Sequence, residues 1–183
     1  MSVLLAASLL PLNANTEPTL NILRSFDPPT ETPKWIAQND DVMGGVSTGQ
    51  AELADRKLHF RGELSLENNG GFAQIYSQTE TSDFSSHSAV RLRVKGDGRS
   101  YQFRIATDAR FRGSRIAYRA EFATKADTWI ELSLPFSAFT PSFRGRQLSG
   151  PLLNLSAVRE IAFLLGDGKP GEFALQVDWI GLD

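Results

Sequence analysis

Oxygen-rich side chains beside glycine mark two stretches of this 183-residue chain as candidate binding loops. The first is Asn39-Asp40-Asp41-Val42-Met43-Gly44-Gly45-Val46-Ser47. The adjacent carboxylates of Asp40 and Asp41 offer hard oxygen ligands for a cation. The same residue types also build tight loops, because Asp and Asn accept backbone N–H bonds and glycine supplies positive φ. A calcium loop spaces its ligands at alternate positions, and this stretch does not, so neither metal nor cofactor is expected. The second stretch is Glu67-Asn68-Asn69-Gly70-Gly71-Phe72. The amides of Asn68 and Asn69 suit a sugar or a peptide, and Asn-Asn-Gly-Gly is equally turn chemistry that feeds a strand.

Charge is unevenly spread. Residues 91–119 hold nine basic and two acidic side chains, within a chain of net charge -2. Alternation over 100–107 puts Arg104 on the face opposite Tyr101, Phe103 and Ile105. The same pattern over 115–124 puts Arg115 and Arg119 opposite Ile116, Tyr118 and Phe122. On one outward sheet face these arginines form a cationic stripe for an acidic protein or for lipid headgroups. Single-stranded RNA would need outward aromatic rings for base stacking, which the pattern lacks, so no nucleic-acid partner is expected. The bland alternative is pairing with carboxylates of neighbouring strands, worth about 0–1 kcal/mol per exposed pair.

Catalytic groups are sparse. His59 lies between Leu58 and Phe60 and should point outward, and His87 sits in a serine-rich loop near Asp83. No nucleophile elbow surrounds any serine, so a hydrolytic site is not expected. Trp129 begins an apolar strand and Trp179 sits among Val177, Ile180 and Leu182. Core packing is the favoured reading for both, against stacking on sugar rings.

The elements that position these groups are strands. Period-two alternation dominates, with turn residues every 10–15 residues or so. It predicts strands over 20–26, 50–54, 58–64, 72–79, 89–95, 100–107, 115–124, 129–134, 158–165 and 172–182. Asp55-Arg56-Lys57 reads as a hairpin turn and Gly96-Asp97-Gly98-Arg99 as a strong turn. Residues 137–154 read as a long ordered loop. The class is all-β, an antiparallel sandwich or jelly roll. A length of 183 residues favours one domain, here 20–183. Residues 1–19 read as an N-terminal arm. Its apolar part resembles a signal peptide, but no Lys or Arg precedes it. The chain has no cysteine, which removes disulfides and thiolate chemistry.

Several motifs follow one another in a recognisable order. They are Trp35, the stretch 39–47, Phe60-Arg61-Gly62, the stretch 67–72, Lys95-Gly96-Asp97-Gly98-Arg99-Ser100-Tyr101, Trp129 through Leu134-Pro135-Phe136, Phe139 and Arg144-Gly145-Arg146. From about Phe26 to Ile180 the chain resembles the complex I intermediate-associated protein family. The resemblance implies a galactose-binding-like β-sandwich and a role in assembling large membrane complexes. The mitochondrial member of that family is a chaperone-like factor for respiratory complex I. Plant and cyanobacterial relatives are linked to photosystem II biogenesis. The resemblance brings no catalytic residues with it.

The expectation is therefore a non-catalytic protein-binding domain. It would serve as an assembly or scaffolding factor for a respiratory or photosynthetic membrane complex, and a carbohydrate-binding module is the alternative. The expected partner is a subunit of that complex, with cytoplasmic placement and at most peripheral membrane contact. Contact is expected through Asp40, Asp41, Asn68, Asn69, Arg104, Arg119, Arg144 and Arg146.

Overall fold

The structure, a computed structural model, describes residues 20–27 and 34–183. The expected N-terminal arm, 1–19, lies outside the described residues. In chain order the strands are β1 (Asn21–Ser25), β2 (Trp35–Asn39), β3 (Thr48–Ala54), β4 (Lys57–Leu64), β5 (Ala73–Ser82), β6 (Ala89–Lys95) and β7 (Ser100–Phe111). They continue with β8 (Ser114–Ala123), β9 (Trp129–Pro135), β10 (Thr140–Phe143), β11 (Arg146–Gln147), β12 (Val158–Leu165) and β13 (Gly171–Leu182). One sheet runs β3-β4-β13-β6-β9, with β1 also on β13. The other runs β11-β10-β8-β7-β12-β5-β2. Neighbouring strands pair antiparallel in both sheets. The all-β antiparallel sandwich expected from the alternation is the observed fold.

The core fills the space between the sheets. Phe60 of β4 meets Phe173 of β13, with ring centroids 4.9 Å apart. Phe103 of β7 meets Phe163 of β12 at 5.2 Å. Tyr101, Phe103 and Ile105 are fully buried, so their alternate neighbours Gln102, Arg104 and Ala106 must face away from the core. On β12, Ile161, Phe163 and Leu165 point inward in the same way, leaving Glu160, Ala162 and Leu164 on the outer face. The seven-stranded sheet therefore presents one continuous outer surface, which carries the site described below.

Three strands lie where the pattern predicts none. β2 is a five-residue edge strand with little alternation. β10 and β11 lie within 137–154, which the sequence reads as a loop. Their turn uses Arg144 at φ 47° and Gly145 at φ 78°. The strands on either side are four and two residues long, too short for alternation to show. By contrast the β3–β4 hairpin turns at Asp55-Arg56 as read, with Ala54 opposite Lys57.

Two tryptophans depart from the expected core role. Trp129 pairs with Lys95 across β9–β6 on the outer face of the six-stranded sheet. Lys57, Arg93 and Lys95 each lie within 6 Å of its ring centroid. Trp179 is also only half-buried, after a bulge in β13 between Val177 and Trp179 that resets the alternation. Trp35 alone of the three is core, 5.8 Å from the Phe163 ring.

Candidate functional site

Asp40 ties the two flagged loops into one structure. It opens a short 3-10 turn, Asp40–Met43, closed by Gly44 at φ 90°. Its side chain is fully buried. Oδ1 accepts from the Ser47 N–H at 2.9 Å. Oδ2 accepts from the Ser47 hydroxyl at 2.5 Å, the Gly71 N–H at 2.6 Å and the Phe72 N–H at 3.3 Å. Burial pushes this carboxyl up, but the hydrogen bonds from Ser47, Gly71 and Phe72 outweigh it and hold the group below its ordinary value. Gly45 packs so closely that an added Cβ would lie 2.3 Å from Asp40 Cγ. Asp40 is thus an internal clamp whose oxygens are taken, which is the tight-loop reading of this stretch. Among the described residues, no group of three or more His, Asp or Glu is placed to hold a metal ion.

The clamp positions one end of a broad cleft of about 790 Å³ on the outer face of the seven-stranded sheet. Val42, Met43 and the stretch 69–72 line that end. The floor carries Gln38 of β2, Gln74 of β5, Glu160 of β12, Gln102 and Arg104 of β7, and Arg115 and Arg119 of β8. Ser142 of β10 and Arg144 close the far side. Val42 and Met43 are 64% and 55% exposed, large values for apolar side chains at a cleft wall.

The floor is polar and unevenly satisfied. Gln74 donates to Gln38 Oε1 at 3.2 Å and accepts from Arg104 Nη1 at 2.8 Å. Arg104 Nη2 reaches the Ser142 hydroxyl at 3.5 Å. Ser142 in turn donates to the Ala117 carbonyl at 3.0 Å. Arg104 Nε is buried with no hydrogen-bond partner. Burial first and neighbouring Arg119 second lower the Arg104 guanidinium to about 10, against an opposing pull from Glu160. Glu160 is engaged elsewhere, accepting from Arg115 Nη1 at 3.3 Å. Its own carboxyl is raised by burial, with Arg115 and Arg104 pulling the other way. Four arginines against one glutamate leave the described lining net positive.

Of the eight expected contact residues, the cleft brings together Asn69, Arg104, Arg119 and Arg144. Asp40 lies behind its wall, and Asp41 is exposed on the turn. Asn68 occupies the left-handed region at φ 54° as part of the turn. Arg146 lines an adjoining pocket of about 240 Å³, which shares Phe143 and Arg144 with the cleft. The outward stripe of Arg104, Arg115 and Arg119 is real, and the two readings of it divide. Arg115 has its carboxylate partner, while Arg104 has neutral ones. Sequence reasoning missed Gln38, Gln74, Gln102 and Glu160. Alternation on β7 and β12 marks the last two as outward, but only sheet order places them beside Arg104.

Other motifs are structural. Arg99 forms a bidentate pair with Asp167, at 3.1 and 2.6 Å, and also bonds the Lys169 carbonyl. The Tyr101 hydroxyl donates to Asp97 Oδ2 at 2.9 Å. These bonds staple the 96–99 turn to the turn before β13. Asp83 accepts from the Ser85 N–H at 2.8 Å, so its carboxylate serves the local turn.

Solved structures share this jelly-roll fold. A family 11 carbohydrate-binding module from Clostridium thermocellum, in complex with a beta-1,3-1,4-mixed-linked tetrasaccharide, matches with a TM-score of 0.68 at 17% identity. The match covers 89% of this chain and 94% of that one. A part of an agarase matches at 0.59 and 13% identity, over 90% of this chain and 24% of that one. At such identities the likeness is one of fold. Sequence goes further, because the model of the Complex I intermediate-associated protein 30 family matches residues 24–177. The chain belongs to that family. The mouse mitochondrial Complex I intermediate-associated protein 30 is 30% identical over 170 residues, 81% of this chain and 52% of that protein. The Drosophila melanogaster protein of the same name is 25% identical over 185 residues, 89% of this chain and 62% of that protein. The chain thus spans between half and two thirds of the length of these relatives. Among the described residues, no helix is long and apolar enough to cross a membrane.

Proposed function

We propose that the chain is a non-catalytic assembly or scaffolding factor for a membrane protein complex, and that the cleft is its partner-binding surface. Family membership supports the assembly role. The observation that carries the choice of surface is the cleft itself: an apolar wall at Val42 and Met43 beside a cationic floor. Exposed apolar side chains next to fixed arginines are what a protein partner uses for anchoring and register. A sugar would instead stack on an exposed aromatic platform, and the rings among the described lining residues are Phe72 and Phe143, both half-buried. The reading treats 20–183 as one domain, on the cytoplasmic side of its membrane and in peripheral contact at most. Limited proteolysis and a carbonate wash of membranes check those two points.

The test is affinity purification of the tagged chain from its own cells in gentle detergent, read by mass spectrometry. The control is Arg119→Glu with Arg144→Glu, both on the cleft and neither buried, with folding verified by circular dichroism. Enrichment of subunits of one membrane complex, lost in the folded variant, is the expected result. Recovery of background proteins alone, or full retention by the variant, would sink the reading.

A further inference from the structure

We propose that the cleft takes an extended, acidic segment of a partner protein, with a carboxylate of that segment seated between Arg104 and Arg119. This deepens the partner-binding reading above and rests on it. The starting point is a buried guanidinium that has no carboxylate in hydrogen-bonding contact and feels Glu160 only at a distance. Arg104 stands at the centre of the floor, flanked by Arg119 in register on β8 and by Ala162 on β12. Its hydrogen-bond acceptors are an amide oxygen and a hydroxyl, both neutral. Its Nε is buried and unpartnered. The carboxylate nearest in the floor, Glu160, is held by Arg115 at 3.3 Å. Buried charges in proteins are ordinarily paired, because an unpaired one loses its hydration without return. The half-exposed Arg91 and Arg93 also have an Nε without a hydrogen bond, but each has a carboxylate, at 3.3 and 3.1 Å. Among the described residues Arg104 makes no such ion pair, and its side chain lines the cleft beside Arg119.

Shape indicates what brings the carboxylate. The cleft runs from Gln38 on β2 to Ser142 on β10, crossing five strand spacings. At about 4.8 Å each, that is roughly 24 Å, the reach of about seven extended residues. The glutamine amides of Gln38 and Gln102 and the Arg144 guanidinium offer polar contacts along such a chain. Val42, Met43 and Phe72 receive an apolar side chain at one end, with Met43 adaptable in shape. A polyanion such as RNA is a poor occupant, since Glu160 stands in the floor and would repel a run of phosphates.

The experiment pans a displayed library of random heptapeptides on the immobilised whole chain, then titrates the selected peptides by fluorescence anisotropy. Selected sequences should be rich in Asp or Glu next to an apolar residue. Arg104→Gln should weaken them about 30-fold or more, and raised salt should weaken them further. Arg119→Gln, across the strand pair from Arg104, gives the same direction by about 10-fold and guards against misfolding of the first variant. Selection without acidic enrichment, affinities unchanged in both variants, or binding of oligogalacturonate in place of any peptide each overturns the inference. The two proposals fail separately. If Arg104→Gln keeps its cellular partners while the Arg119→Glu/Arg144→Glu variant loses them, the assembly reading stands and the acidic segment falls. If acidic peptides bind but no membrane-complex subunit is captured, the reverse holds.

Discussion

Asp40 and Arg104 are both charged, both sunk into the protein and both on the same side of the sandwich, yet their surroundings are opposite. Asp40 accepts from two side-chain or backbone donors of Ser47 and from the N–H groups of Gly71 and Phe72. Arg104 finds two neutral acceptors, leaves Nε unpartnered and faces a second arginine. The first environment lowers the pKa of an acid and so favours its charge. The second lowers the pKa of a base and so disfavours its charge. A fully satisfied ion holds the fold, whereas one without a charged partner stabilises it little by itself, which is why the proposed ligand contact is placed at Arg104.

The comparison can be broken most directly at the clamp. Asp40→Asn leaves backbone donors at Ser47, Gly71 and Phe72 without a charged acceptor, and should destabilise the protein by about 3 kcal/mol in urea melts. A loss below about 0.5 kcal/mol would show that the loops hold themselves. Gly45→Ala attacks the same clamp by shape, since its Cβ would overlap Asp40 Cγ. About 2 kcal/mol is expected, read as a lowered Tm. At the floor the sign should reverse. Arg104→Met removes an unpaired charge and should leave the free protein as stable or about 1 kcal/mol more stable, while abolishing peptide binding. A strongly destabilised Arg104→Met would make that arginine structural and end the contrast.

The smallest effect is one of pH. Asp40 has a folded pKa below its ordinary 3.8, so its contribution is complete above that value and is lost as pH falls through the folded one. The difference between wild type and Asp40→Asn should therefore be flat down to about pH 4 and narrow only in stronger acid. Glu160 has a folded pKa above its ordinary 4.5, so ionising it opposes folding once pH rises past 4.5. Glu160→Gln should leave stability unchanged in acid and raise it slightly, by about 0.5 kcal/mol, near pH 7. A loss at pH 7 would mean that the bond to Arg115 outweighs desolvation.

Much of the architecture was legible. Strict alternation on β7 and β8 located the inward rings of Tyr101, Phe103, Tyr118 and Phe122, and with them the outward arginines. The loops at 39–47 and 67–72 stood out because runs of Asp, Asn and Gly have few uses besides tight turns and ligand contact. Their joining by Asp40 was not legible, since the hydrogen bond to Gly71 spans 31 positions. The β10–β11 hairpin was hidden because its strands, four and two residues long, are too short to show alternation. Trp129 and Trp179 looked like core because they sit among apolar residues, but a residue's face depends on register. Trp129 opens β9 in register with outward Lys95, and a bulge in β13 resets the alternation before Trp179.

The sequence by itself determined the class of fold, the face on which each regular strand carries its arginines, the tight loops and the family. These follow from local periodicity and turn chemistry, and from motifs kept in one order. Only the tertiary structure decided which charges have partners. Arg115 and Arg104 are indistinguishable as outward arginines on neighbouring strands. Sheet order sets Glu160 where Arg115 claims it, and sets Arg104 beside Arg119, Gln74 and Ser142 instead. Pairing is a matter of a few ångströms across strands far apart in sequence, and no local pattern records it.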